Sequence, residues 1–343
     1  MSEFRRNLLT AMNRVEPPIT KDYLTIVALE DGLTAKLSLN ACEYCVDGNG
    51  NWKTLPADTE TETVNTGQTL SFRGNLSPDS TNGIGTFTVN RLHNLKGNCM
   101  SMLFGDEGKN RFSLIGKYAS FIGLFKNDVG LVNACEFKLP ATTLIDSCYR
   151  SMFANCTNII TAPELPAITL KPYCYYTMFS QCSSLINTPQ LLATTLANSC
   201  YFYMFNNCLS IVESPELPAT TLANSCYGGM FTNCTNLTNV SNLPATTLEG
   251  ACYAYMFDGC SNLTKAPILP AVILVNGCYN FMFQRCSNLS YIKMLATDIS
   301  ATNCMGNWVN SVASKGIFVK NKDATWNFRG ISGIPSGWEV ITE

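Results

Sequence analysis

Three groupings of residues in this chain have types and spacing that could do chemistry. Cys42 and Cys45 form a C-x-x-C pair, the spacing of half a zinc site or of a dithiol redox couple. A structural zinc needs four ligands, yet there is no second close cysteine pair nearby and His93 is the only histidine of the 343 residues. On a strand the two cysteines would also point to opposite faces, so neither metal nor redox chemistry is expected of them. His93 has no serine elbow or conspicuous cysteine nucleophile for company and reads as a partly exposed structural residue. Asp58, Glu60 and Glu62 are spaced acids in a loop, a solvated stretch rather than a paired acid and base. Because no nucleophile, base and orienting partner assemble, the expectation is a protein that is not an enzyme and needs no cofactor.

Bulk properties narrow the partners. Formal charge is −2 and only 14% of residues are charged, with the basic ones dispersed, so nucleic acid is an unexpected partner. Abundant Asn, Thr and Ser describe a neutral, hydroxyl- and amide-rich surface suited to carbohydrate or protein contacts. Arg5-Arg6 is not followed by an apolar run of signal-peptide length, and no stretch of about 18 apolar residues occurs. Neither a cleaved signal peptide, nor a transmembrane helix, nor membrane insertion is expected.

The cysteines, 17 in all, are explained by position. Cys148, Cys174, Cys200, Cys226, Cys252 and Cys278 recur every 26 residues, as do Cys156, Cys182, Cys208, Cys234, Cys260 and Cys286, with a Met-Phe pair between the two columns from Met152-Phe153 to Met282-Phe283. A fixed period held over six units is the signature of a repeat array. Leu144, Cys148, Met152 and Cys156 fall four apart, which predicts one stripe of a short helix capped by Thr143. An extended piece such as Ile159-Ile160-Thr161-Ala162 then stops at Pro163. Each unit is thus expected to be one strand and one helix that acquires a core by stacking. Helices side by side sit about 8–10 Å apart, too far for rung-to-rung disulfides, so the cysteines read as buried thiols.

Ahead of the array, alternation at Leu33, Ala35, Leu37 and Leu39 and at Thr86-Phe87-Thr88-Val89, with Asp47-Gly48 and Asn82-Gly83 turns, predicts antiparallel strands. The expected fold class is α+β: an antiparallel β-sandwich over 18–95, degenerate repeats or a cap over 96–138, a solenoid of six strand-helix units over 139–294, and a half-repeat with a β-type cap over 295–343. Residues 1–17, closed off by Pro17-Pro18, form a candidate docking arm whose Phe4, Leu8, Leu9 and Met12 share one helical side.

The unit Leu-Pro-Ala-Thr-Thr-Leu-Ala-Asn-Ser-Cys-Tyr with Met-Phe and Asn-Cys following, clearest at 217–234, resembles the BspA-like leucine-rich repeats of bacterial and phage-encoded surface proteins over about half the chain. The tail from Asn307-Trp308 to Gly337-Trp338 is similar to the end module of that group. The resemblance implies a leucine-rich-repeat solenoid and a role in adhesion or recognition. Cys45 to Trp52 is also similar to the Asp-box hairpin of sialidases, a turn that carries no chemistry.

Between Cys-Tyr and Met-Phe the repeat stops repeating. Arg150, Tyr176, Phe202, Tyr203, Tyr255 and Phe281 stand there and are the candidate ligand-binding residues, either packed between rungs or facing a ligand. Glu164, Gln190, Glu216 and Asn242 form a competing row on the strand side. The expected function is recognition of a glycan or protein on a cell surface. The alternative is a phage fibre or decoration protein on a virion, with virion or homo-oligomer contacts made through the N-terminal arm.

Overall fold

Alternation of apolar and polar residues builds the N-terminal region of the computed structural model, which describes residues 22–343. Its strands are β1 (Leu24–Ala28), β2 (Ala35–Leu37), β3 (Cys42–Val46), β4 (Lys53–Leu55), β5 (Thr69–Arg73), β6 (Phe87–Val89) and β7 (His93–Asn98). With β8 (Leu131–Lys138) they make a six-stranded sheet in the order β4-β3-β5-β1-β7-β8, while β2 and β6 form a separate antiparallel pair. Ile26 of β1 lies between Leu70 and Leu95, so the centre of the sheet is apolar on its buried face. The β7–β8 pairing is parallel, and the sheet is therefore mixed rather than an antiparallel sandwich. The boundary expected at 95/96 falls inside β7.

The strand-helix solenoid expected from the spacing is overturned. Among the described residues the only α-helix is α1 (Ser101–Phe104), followed by a 3-10 turn over Gly105–Asn110, and neither lies in a repeat. Each stretch from the first cysteine to the second is instead a run of tight turns with an exact period of four. Arg150, Met152, Ala154 and Cys156 donate their N–H groups three residues back, to Ser147, Tyr149, Ser151 and Phe153. The intervening Tyr149, Ser151, Phe153 and Asn155 donate instead to Cys174, Tyr176, Met178 and Ser180 of the next unit. Half the backbone donors close turns and half join rungs, so the buried polar backbone is satisfied without a helix. Every fourth residue takes a left-handed conformation, as at Ser147, Ser151 and Asn155.

Those inter-rung bonds bring identical residues into register. Tyr149, Tyr175, Tyr201, Tyr227, Tyr253 and Tyr279 stack at 5.7–6.1 Å between ring centroids. The Phe column from Phe125 to Phe283 does the same at 5.4–5.8 Å. Rungs are thus far closer than packed helices, so separation does not bar rung-to-rung disulfides, yet the column cysteines are free thiols. What the second cysteine column does is visible directly: Cys182 Sγ donates to the Phe153 carbonyl at 3.1 Å, and Cys208, Cys234, Cys260 and Cys286 repeat this bond along the column. The same carbonyl accepts the Cys156 N–H, so both its lone pairs are used.

Both ends of the array are closed. At the start Phe121 and Phe125 stack on Tyr149 and Phe153, and β8 continues the ladder through Asn133, Thr161 and Asn187. At the other end Trp308 receives both the Tyr and the Phe columns. A parallel three-stranded sheet of β9 (Tyr291–Met294), β10 (Ile317–Lys320) and β11 (Glu339–Thr342) covers it. The indole N–H groups of Trp308, Trp326 and Trp338 donate to the carbonyls of Gly333, Ala296 and Ala313. No helix among the described residues is long and apolar enough to cross a membrane.

Candidate functional site

The four-residue turn sends two of every four side chains inward and leaves two on an outer face. Position by position, the first outer column holds Arg150, Tyr176, Phe202, Gly228, Ala254 and Asn280, and the second holds Ser151, Thr177, Tyr203, Gly229, Tyr255 and Phe281. All six candidate ligand residues therefore lie on one face. The Arg150 guanidinium sits 5.0 Å over the Tyr176 ring, Tyr176 stacks on Phe202 at 5.3 Å, and Phe202 meets Tyr203 edge-on at 4.6 Å. Two rungs further, Tyr255 and Phe281 stack at 4.6 Å.

Gly228 and Gly229 join the two groups. A Cβ on Gly228 would come within 2.7 Å of the Phe202 ring, and one on Gly229, at φ +62°, would collide with the Tyr203 ring. Both rings lean over the glycines into that space. Burial raises the Tyr203 phenol, and the nearby Tyr255, Asp258 and Tyr176 add to the shift. The rings are half-buried, packed between rungs on one side and open on the other.

The second outer column is the left-handed one. Tyr203 has φ 51°, Tyr255 φ 58° and Phe281 φ 56°. That conformation suits glycine or asparagine and is unfavourable for bulky residues. The same column shows the comfortable solution at Gly229 and Asn307.

A polar border runs beside the rings, at positions the sequence reading passed over. Arg285 is bidentate to Asp258, at 2.9 and 2.7 Å, and also donates to Asn233. Asn206 donates to Ser180, and Asn207 to Asn206. The signal for this border was present, because the pairs just before the second cysteine, such as Asn206-Asn207 and Asp258-Gly259, vary as freely as the aromatic pairs do. The competing residues Glu164, Gln190, Glu216 and Asn242 are exposed but bring no ring with them. Phe4, Leu8, Leu9 and Met12 lie outside the described residues.

His93 is not partly exposed: it is wholly buried, its Nδ1 3.0 Å from the Arg91 carbonyl and its Nε2 3.2 Å from the equally buried Asp128 carboxylate. A carbonyl only accepts, so Nδ1 carries a proton and the ring pins β7 to the first rung. Cys42 and Cys45 are buried in β3, and the Cys45–Trp52 segment forms the β3–β4 hairpin, whose Trp52 lies under Arg73 at 4.1 Å. Burial pushes the column thiols far above their ordinary value, to about 12 at Cys148, Cys226 and Cys234. They are buried and protonated, not nucleophiles.

No family model, curated protein or solved structure matches this chain.

Proposed function

We propose that the protein is a non-catalytic recognition protein that binds a glycan along the aromatic outer face of its repeat stack. The observation that carries this reading is the placement of Tyr203, Tyr255 and Phe281 in left-handed backbone where glycine fits without cost. The turns impose that backbone on every fourth residue, at a cost of about 1 kcal/mol or more for a bulky side chain, and rings stand at these three positions where the same column elsewhere holds Ser151, Thr177, Gly229 and Asn307. Half-exposed rings in a row offer flat apolar surfaces to the faces of sugar rings, and the Asn206, Asn233, Asp258 and Arg285 border supplies hydrogen-bonding groups for hydroxyls. The site of action on this reading is a cell surface. Attachment to a virion through residues 1–17 is the alternative, and fractionating cells against purified particles separates the two.

Tyr255→Gly and Phe281→Gly test it. Removal of a ring that serves binding relieves backbone strain, so these variants should melt at or above the wild-type temperature while losing retention on an array of immobilised oligosaccharides. If both variants are destabilised and wild type retains no saccharide, the rings are packing residues and the reading falls. A protein partner is the second reading, favoured by the exposed aliphatic stripe of Ile160, Ile186 and Val212 on the strand side.

A further inference from the structure

The aromatic row does not end in open solvent at Arg150. There the first rungs meet the Ser80–Thr86 loop of the N-terminal region around a cavity of 530 Å³, within the range of small-ligand sites. Arg150 and Ser151, the first members of the two outer columns, form one wall, so the cavity is the row's own terminus. Hydroxyls of Ser80, Thr81, Tyr118 and Ser151 line it. Gly123, which donates its N–H to the Arg150 carbonyl, stands in the second outer column on the rung before Ser151 and leaves that rung without a side chain there.

Charge sets this end apart from the rest of the face. Lys126 and Arg150 are the only charged residues on the lining, and among the described residues neither has a carboxylate partner. The nearest acid along the loop, Asp79, is not on the lining: its Oδ1 accepts the N–H groups of Thr81 and Asn82 at 2.7 Å each, which hold its carboxyl below the usual range. At the far end of the row the cation Arg285 is already neutralised by Asp258. Two unpaired cations among hydroxyl donors, with no acid on the wall, select an anion that brings its own hydroxyls.

We propose that this cavity is the terminal subsite for an acidic saccharide, holding its carboxylate or sulfate between Lys126 and Arg150 while the next sugar ring lies on Tyr176 and Phe202. The inference rests on the glycan reading above and adds the charge and polarity of the ligand. Arg150 both stacks on Tyr176 and faces the cavity, so binding of the anion and packing of the following ring are coupled through one side chain.

The test is calorimetric titration of the full chain with three trisaccharides of equal length: a neutral galactotriose, a trigalacturonate and a sulfated galactotriose. Wild type should bind at least one acidic probe about tenfold tighter than the neutral one. Whichever acidic probe leads identifies carboxylate or sulfate as the anion. Lys126→Gln and Arg150→Gln, both at exposed positions that do not threaten folding, should each remove most of that preference while neutral binding changes little in Lys126→Gln. Tyr203→Gly, beside Phe202 and within reach of the third sugar, should weaken all three probes alike. Equal binding of all three probes, lost in Tyr203→Gly, would overturn the acidic subsite and leave the glycan reading standing. No binding of any saccharide overturns both, and so does tighter binding of a glutamate-rich peptide than of every saccharide.

Discussion

The N-terminal sheet and the repeat stack bury similar residues under different backbone rules. In the sheet each strand has its own partners, with Leu24 opposite Phe72, Ile26 between Leu70 and Leu95, and Tyr44 opposite Phe72 as well. Each site therefore has its own shape, and no single residue type recurs. In the stack every inner side chain lies on a copy of itself, and only groups that pack well on their own copies recur: flat rings at about 6 Å, thiols that reach a carbonyl one rung back, and thioethers. Repetition thus marks the interior of the stack, and the outer columns, free of that demand, are where residue type can follow a ligand.

The largest way to break this contrast is Met204→Asp. Met204 is fully buried with like residues on both neighbouring rungs, so the charge meets no partner and the cost is several kcal/mol. The stack should lose cooperative melting in calorimetry while the sheet keeps its own transition. An unchanged thermogram would mean that the inner columns are misassigned.

Next in size is the junction. His93→Ala removes the imidazole that stands 3.2 Å from the buried Asp128 carboxylate and leaves that carboxylate only the Gly130 N–H, a loss of about 1–3 kcal/mol. Because His93 lies on β7 and Asp128 on the first rung, this variant should uncouple the two regions into separate transitions. A single transition at the wild-type temperature would show that β7–β8 pairing alone joins them.

Alkali separates the regions by their thiols. Burial raises Cys148, Cys226 and Cys234 from about 9 to about 12. The folded state therefore holds protons that the unfolded state has released, and the stability is fully present below about pH 9 and is lost as pH rises toward 12. Each such thiol contributes a slope of up to about 1.4 kcal/mol per pH unit in that window. Twelve column thiols act on the stack, against Cys42, Cys45 and Cys99 in the N-terminal region. Melting followed from neutral pH upward should show the stack failing first, with thiolate absorbance and alkylation appearing together with unfolding. Rapid alkylation at neutral pH, before any unfolding, would contradict the buried columns.

The 26-residue period, both cysteine columns and the outer aromatic positions were legible in the sequence, because a residue that packs on its own copy must recur. The backbone was not. Leu144, Cys148, Met152 and Cys156 match a helical stripe at first sight, yet a helix of 3.6 residues per turn rotates about 40° for each step of four, so a strict fourfold spacing drifts off one face within a single unit. The exact four was the trace of the turns. Asn155, Asn207, Asn233 and Gly259 before the second cysteine hinted at left-handed backbone, but Tyr203, Tyr255 and Phe281 at equivalent points of the preceding turn hid it. The cavity at Lys126 and Arg150 depends on a loop more than 40 residues earlier in the chain, and nothing local could announce it.

The smallest effect sharpens the turn rule itself. Gln181 is exposed, has φ 64° and makes no side-chain hydrogen bond, and its equivalent two units from the end of the row is Gly259 at φ 76°. Gln181→Gly removes a left-handed penalty of about 1 kcal/mol or more but adds the chain freedom of an extra glycine, which costs about 0.4–1 kcal/mol. The balance is a gain of a few tenths of a kcal/mol. Gln284 occupies the position one residue earlier in its own turn, where φ is negative, so Gln284→Gly has no strain to relieve and should lose about 0.5–1 kcal/mol. Opposite signs for two Gln→Gly changes, measured by denaturant midpoint, are expected only if the chain turns every four residues. Equal losses at both positions would return the stripe to a helix, in which neither glutamine is special.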